Sequence, residues 1–370
     1  MNDTFYNTSS SDTLTIFDEC RPRTFPHKEW VSYFGYLFIL PMMSVIGAIT
    51  CVICFIIFTR KSMRTSSLNV YLAGLSIFDF VLLIVCMLLL TSGQACKELH
   101  YRRSPICVFY WIAGRYLIGI LNIARTGSVY ICVAITIDRF LAVKYPLHFK
   151  LWCTPSRALK ILFGITLGTI VYRIPVFFEF TNDECGFLVA SNLSTNIYYL
   201  RIYTTFSYLI YVFLVPWIIM LVLNAYVVII VHQAYKVRGS MKRTTENHAK
   251  NLRRVTLMSI TMVTFFLLFN FPAAIKHLDE VFHRKFPKYI DPLANLLICF
   301  NSAFNFIIYA VFSARFRQLS MKILCNQRSN LNDLQFTSSR QKTAFSMLSK
   351  EESMRMKVET KKEMKNEDLI

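Results

Sequence analysis

Ala134–Leu147 reads AITIDRFLAVKYPL. The stretch closes a long apolar run and sets an acid, Asp138, beside a base, Arg139, where that run ends. Charged groups at a membrane boundary are tolerated when they pair or face the protein interior, and such residues are functional candidates. Two readings follow: Asp138 holds Arg139 inward in one state and releases it in another, or Arg139 snorkels to the lipid headgroups. The sequence on either side of the stretch raises the first.

Of the 370 residues 54% are hydrophobic and 17% charged, and soluble domains carry about a quarter charged residues. The apolar residues gather into runs near 33–58, 67–93, 108–137, 158–178, 203–231, 255–276 and 289–311. Each is long enough to cross a bilayer, which takes roughly 20 helical residues. A spanning segment must satisfy its own backbone, so these are helices. The fold class expected is therefore an all-α membrane protein, a seven-transmembrane helix bundle.

Charge placement gives the orientation. The link after the first run holds Arg60, Lys61 and Arg64 without an acid, and the link after the third holds Lys144, Lys150 and Arg157. The link after the fifth is basic from Lys236 to Arg254, against Glu246 alone. Basic short loops stay cytoplasmic, which puts the N-terminus outside and the tail inside a plasma membrane. The net charge of +19 is then a topological signal, and the loop asymmetry argues against nucleic acid as a partner. Three glycosylation acceptors, Asn2, Asn7 and Asn192, fall on the expected outer side. No apolar segment precedes residue 30, so no cleaved signal peptide is expected.

Four cysteines, Cys20, Cys96, Cys107 and Cys185, fall on that outer side, where disulfides persist. They allow three pairings, and the sequence does not choose among them. Cys325 follows a short amphipathic segment and is a palmitoylation candidate. In that segment Phe312, Phe316, Leu319 and Ile323 share a face, so 313–325 reads as a short eighth helix lying in the membrane interface. The expected division is an outer N-terminus at 1–30, the bundle at 31–312, the interfacial helix, and a polar, Ser/Thr-bearing cytoplasmic tail at 326–370.

Inside the second run Asp79 lies about 20 Å from the cytoplasmic end, and a carboxylate that deep needs a cation, a proton or hydrogen bonds. Ser128, Asn301, Ser302 and Asn305 stand at similar depths. Such a cluster suits either Na⁺ or a neutral network of hydrogen bonds. Pro175, Pro216 and Pro272 break hydrogen-bond ladders within three runs. No phosphate-binding loop, metal-ligand spacing or catalytic triad appears, so an enzyme is not expected and no cofactor beyond Na⁺ is implied.

Together with Asp138-Arg139-Phe140, four stretches carry a family likeness. They are Arg60–Asp79 (RKSMRTSSLNVYLAGLSIFD), Ile174–Glu179 (IPVFFE), Phe269–Ala273 (FNFPA) and Asn301–Arg317 (NSAFNFIIYAVFSARFR). The chain resembles a rhodopsin-like G-protein-coupled receptor from about residue 30 to 325, and most of all the invertebrate FMRFamide-type neuropeptide receptors. The resemblance implies that Arg139, once released by Asp138, meets the G-protein, with Pro146 and Leu147 as a second contact. It implies that Asp79, Ser128, Asn301 and Asn305 are sodium-site positions and that Asn305 and Tyr309 form the seventh-span switch. It also implies arrestin and a receptor kinase as partners of the tail. Gly114 stands where the family has its third-span cysteine, so a bridge to Cys185 would fall to Cys107. Ala48 replaces the first-span Asn, Ile165 stands near the missing fourth-span Trp, Asn270 replaces the sixth-span Trp, and Phe306 the seventh-span Pro. Leu252 stands where some receptors lock the arginine with Glu.

Leu121 holds the position where amine receptors carry their Asp, which excludes a small cationic amine. Arg125, about 21 Å inside the third run, asks for a carboxylate or carbonyl partner. The ligand set expected is Arg125, Leu121, Asn122, Glu179, Asn270, Lys276 and Asp279, with Arg115, Arg173 and Glu280 nearby. An extracellular basic peptide of the Arg-Phe-amide kind suits the acids at the rim, and a small acidic or polar ligand held by Arg125 is the alternative.

Overall fold

The computed structural model describes residues 30–99, 104–184, 186–236, 243–282, 287 and 289–324. Seven helices in it are long and apolar enough to cross a membrane: α1 (Trp30–Thr59), α2 (Ser67–Glu98), α3 (Pro105–Lys144), α4 (Pro155–Phe178), α5 (Ile197–Gln233), α6 (Arg243–Phe282, apolar over Arg254–Ile275) and α7 (Ile290–Phe312). α2 and α3 are mostly enclosed, whereas α4 and α5 present large apolar side chains such as Phe163, Leu167, Phe206 and Ile218 outward. An apolar surface facing lipid carries no penalty, so peripheral helices need only one packed stripe.

The core between α1, α2, α3 and α7 is built from Leu40, Leu82, Leu83, Cys86, Leu121, Ala124, Ile298 and Cys299. Its tightest crossing is at Gly127 of α3, where a Cβ would stand 2.1 Å from the Phe78 ring of α2. Only glycine lets the two backbones approach that closely.

Proline writes the local geometry of α4 and α5. Pro175 has no N–H for the carbonyl of Val171, and the N–H of Ile174 takes that carbonyl instead, tightening Ile174–Phe178 into a 3₁₀ turn. In α5, Leu200–Leu214 is a π-helix, in which each N–H reaches back five residues. Pro216 lacks the N–H that would reach Tyr211 in that pattern, and the Tyr130 hydroxyl of α3 donates to the orphaned Tyr211 carbonyl at 2.8 Å. Pro272 sits inside α6.

A hairpin follows α4: β1 (Phe180–Asn182) pairs antiparallel with β2 (Leu188–Ala190), Phe180 opposite Ala190, through a turn with Gly186 at φ +78°. The amide of Asn182 donates to the Trp111 carbonyl of α3 at 2.9 Å, and the Trp111 and Phe187 rings meet edge to face. A Cβ on Gly114 would stand 2.9 Å from a methyl of Leu188, so the missing side chain makes room for the hairpin.

One expectation is corrected here. Cys107 does not bridge to Cys185; it is bonded to Cys96. Cys107 lies in the first turn of α3 and faces the end of α2, with the two Cα atoms 5.0 Å apart, inside the range a disulfide spans. The bridge joins α2 to α3, and the polar and aromatic contacts above hold the hairpin. Cys185 lies outside the described residues, as do Asn2, Asn7 and Cys325.

The compact unit containing the seven spans runs to Arg317, and Gln318 begins a second unit. The helix α8 (Ala314–Leu324) buries Phe316 and Leu319 and exposes Arg315 and Arg317.

Candidate functional site

Three polar groups interrupt the apolar bundle: Asp138 with Arg139 near the C-terminal end of α3, Asp79 against Ser128, and Arg125 at the middle of α3. At one end Asp138 and Arg139 are buried, exposed to 4% and 5%. The Arg139 guanidinium bonds to Asp138 Oδ2 through Nε at 3.2 Å and through Nη2, while the Ser67 hydroxyl of α2 donates to Asp138 Oδ1 at 2.6 Å. The Phe149 ring of the short helix Pro146–Trp152 lies 5.6 Å from the guanidinium carbon. Pro146 and Leu147 open that helix, and their side chains lie outside the described residues. Cys153, just past it, has its thiol pushed up to about 11 by burial and then by the charge and acceptor of Asp138, with Arg139 and Arg157 pulling the other way.

Between the ends, Asp79 of α2 is 1% exposed. Its Oδ1 accepts from Ser128 at 3.3 Å and Ser302 at 2.9 Å, and its Oδ2 accepts from the Asn305 amide at 2.8 Å. Asn301, though buried, is not among these partners. The donor set is one carboxylate, two hydroxyls and an amide that turns its nitrogen inward, so the arrangement is a satisfied hydrogen-bond network. To hold Na⁺ the two hydroxyls would turn their lone pairs inward beside the carboxylate; the oxygens present suit such a hard cation. Tyr309 is 1% exposed and meets Phe58 and Phe316 at ring-centroid distances of 5.0 Å and 5.6 Å; Phe306 also touches Phe316.

A cleft between α3, α5, α6 and α7 is lined by Arg125, Tyr208, Trp217, Phe266, Asn270 and their apolar neighbours. The space among these side chains, open solvent included, is about 310 Å³. Arg125 Nη2 donates to Asn295 Oδ1 at 3.0 Å, and the Asn295 amide donates to the Tyr36 hydroxyl at 2.9 Å. Arg125 Nε is buried with no partner. The amide nitrogen of Asn270 donates to the Phe266 carbonyl at 2.8 Å.

Three of the expected ligand residues, Leu121, Asn122 and Glu179, do not line this cleft. Leu121 packs in the core between α1, α2, α3 and α7, because its face of α3 points toward α2. Asn122 turns its amide back to the Ile118 carbonyl of its own helix at 2.9 Å. Glu179 ends the 3₁₀ turn and accepts from the Tyr199 hydroxyl at 2.8 Å. Burial pushes its carboxyl upward, against the Tyr199 hydrogen bond and the Arg173 charge, which both pull it down. The side chains of Lys276, Asp279 and Glu280 lie outside the described residues. Asn192 is exposed in the link before α5.

Arg173 was legible only as a base near the end of its span. It is 4% exposed, its Nε donates to Thr126 Oγ1 at 2.9 Å, and its guanidinium carbon lies 4.9 Å from the centroids of both Tyr172 and Tyr208. Its Nη2 is buried with no partner.

Seven apolar helices closed around a polar interior define a multi-pass membrane bundle of the receptor type. The chain belongs to the rhodopsin family of seven-transmembrane receptors, whose profile, described as "7 transmembrane receptor (rhodopsin family)", matches residues 50–309. It is a family of receptors, not of enzymes. Among curated proteins the chain is similar to the FMRFamide receptor of Drosophila melanogaster, 28% identical over 300 residues that make up 78% of this chain and 54% of that one. It is also similar to the FMRFamide peptide receptor frpr-18 of Caenorhabditis elegans, 30% identical over 285 residues, 74% of this chain and 65% of that one. The cholecystokinin receptor type A of Oryctolagus cuniculus is 28% identical over 251 residues, 64% of this chain and 54% of that one. The match thus spans between about half and two thirds of the length of these relatives.

Proposed function

We propose that the chain is a plasma-membrane receptor for an FMRFamide-like neuropeptide. Its N-terminus and hairpin face outward, and its Asp138–Arg139 end engages a heterotrimeric G-protein. The names of the two FMRFamide-receptor relatives support the ligand class. The observation that carries the reading is Arg125: a guanidinium on the wall of a cleft between four spans, with one N–H buried and unsatisfied. A buried donor without a partner costs free energy that a ligand acceptor recovers.

At the other end, Arg139 held by Asp138 supports a latched state in which the G-protein contact is withheld. Phosphorylation of the Ser/Thr-bearing tail would supply the acidic surface that a receptor kinase writes and arrestin reads. Na⁺ at Asp79 is proposed as an inactive-state ligand, since a cation bound in one state alone shifts the population toward it.

The test is a dose–response to the tetrapeptide Phe-Met-Arg-Phe-amide in cells expressing the receptor, with calcium and cAMP read together. A saturable response at submicromolar peptide is expected. Silence in both channels, with surface expression verified, overturns the peptide reading. Responses confined to small carboxylic acids would establish the alternative small-ligand reading instead.

A further inference from the structure

Two free cysteines meet inside the bundle. Cys86 of α2 and Cys299 of α7 are fully buried, lie in the same core cluster and hydrogen-bond to each other, thiol to thiol. Neither belongs to the Asp79 network, the Asp138–Arg139 pair or the wall of the cleft. A buried free cysteine on its own is ordinary core packing. Two in contact on different helices are one covalent bond from a cross-link, since a disulfide asks only that the sulfurs close to about 2.05 Å.

The surroundings suit sulfur chemistry. The Arg125 charge acts on both sulfurs, and the Tyr36 hydroxyl, at the end of the Arg125–Asn295 chain, lies within electrostatic reach of both. Arg125 hydrogen-bonds to a neutral amide and keeps a buried Nε without a partner. Negative charge developing on a reacting sulfur would therefore find a cation at hand, which is what activates a cysteine. Arg125 and Ile298, the chain neighbour of Cys299, line the cleft, which has room for a molecule of about water's size. An oxidant arriving from that side must be comparably small, which selects a peroxide over a disulfide as bulky as that of glutathione.

We propose that Cys86 and Cys299 are a redox pair, oxidised by hydrogen peroxide to a disulfide that bolts α2 to α7. One sulfur attacks a peroxide oxygen and the O–O bond breaks. The departing hydroxide takes the thiol proton as water, and a sulfenic acid remains. The second sulfur displaces that hydroxyl, the S–O bond breaks, and the second thiol proton leaves in a second water. In the net reaction each sulfur loses one electron and the two peroxide oxygens gain one each. A dithiol reductant returns the pair to two thiols by exchange.

The position of the bond decides its effect. On α7 Cys299 lies between Asn295, which holds Arg125, and Ser302 and Asn305, which hold Asp79 of α2. Hydrogen bonds let the two helices shift against each other and re-form; a disulfide between them does not. This part rests on the receptor reading: the oxidised protein is held in one arrangement of the bundle and answers agonist weakly.

The experiment treats full-length receptor in membranes with hydrogen peroxide, blocks free thiols with N-ethylmaleimide and maps peptides without reduction, with the Cys96–Cys107 bridge as internal reference. A Cys86–Cys299 cross-link is expected in wild type, slower to form in Arg125→Gln and absent in Cys86→Ala and Cys299→Ala. Nucleotide exchange stimulated by Phe-Met-Arg-Phe-amide should fall about fivefold or more in treated wild type, the low end of an allosteric coupling, while treated Cys86→Ala and Cys299→Ala keep their untreated responses. Thiols that stay alkylatable, or that go to sulfinic acid without cross-linking, overturn the proposal. A cross-link that leaves exchange unchanged, or a loss equally large in the alanine variants, overturns its control of signalling. An untreated receptor silent toward the peptide counts against the peptide reading alone, and the cross-link still decides the redox pair.

Discussion

Arg125 and Arg139 lie on one helix, fourteen residues or about 21 Å apart, and their surroundings are opposite. Arg139 is enclosed by its own chain: a carboxylate from the preceding residue, a serine that holds that carboxylate from α2, and an aromatic ring. Arg125 has a single neutral partner and a vacant N–H. A cation already paired acts on a partner only by losing its present contact; one left short acts by gaining a contact. The first arrangement suits a latch and the second a receptor for ligand; Arg139 sits near the C-terminal end of α3 and Arg125 at its middle.

Removing the latch residue tests the comparison most severely. Arg139→Ala should abolish agonist-stimulated nucleotide exchange while surface level and ligand affinity persist, and normal exchange in that variant would erase the distinction between the two arginines. At the middle of α3, Arg125→Gln should cost on the order of 10- to 100-fold in agonist potency at unchanged expression, the worth of a charge-assisted bond in a partly dry site. Arg125→Lys should recover only part of it, because an ammonium lacks the planar fork. Should potency fall instead only at Glu179, with Arg125 silent, the cleft would not be where the ligand's acceptor sits.

Ser67→Ala removes one of the contacts on Asp138 without touching Arg139. Ligand-independent exchange should rise by up to about tenfold, the range of one hydrogen bond. An unchanged basal rate would mean that Asp138 holds its arginine without help from α2. Asp79→Asn sharpens the middle of the comparison: any sodium dependence of agonist affinity should shrink, by a few-fold, in a binding assay with sodium exchanged for a large organic cation. Wild-type affinity indifferent to sodium leaves Asp79 as a hydrogen-bond hub alone.

The smallest effect is chemical. The Cys153 thiol is favoured in its neutral form, with its transition near pH 11, so alkylation at pH 8 should be much slower than for a free thiol and should rise until about pH 11. The sign for stability is the same: a raised thiol pKa favours the fold below the ordinary cysteine range and loses that contribution as pH climbs through 11. Rapid labelling at pH 8 would show that the Cys153 thiol is not buried beside Asp138 as described.

Much of this was legible in the residues, for reasons that differ by feature. The spans were readable because a bilayer demands an unbroken apolar length, and the expected 33–58 and 289–311 differ from the helices by a few residues at their ends. The Asp79 network was legible because a deep carboxylate needs partners and few polar residues share its depth; three of the four candidates bond it, and Asn301 does not. The Cys96–Cys107 bridge was not, since pairing depends on where α2 ends and α3 begins in space. Nor were the facing of Leu121, the vacancy on Arg173 or the π-helix of α5. Those depend on which side of a helix meets a neighbour, and runs apolar on every side leave that undecided.

In α7, Phe306 stands where a proline would hinge the helix, and Ile290–Phe312 is unbroken, with Pro292 confined to its first turn. Asn295, Ser302, Asn305 and Tyr309 recur along one face at intervals of seven, three and four. They grip, in turn, Arg125, the two oxygens of Asp79 and the aromatic cluster at the far end. A helix without a hinge behaves as a stiff beam, and this one has a fulcrum at Asp79 with an arm on either side. Asn295 and Tyr309, about 21 Å apart along the same beam, thus hold different partners on either side of that point.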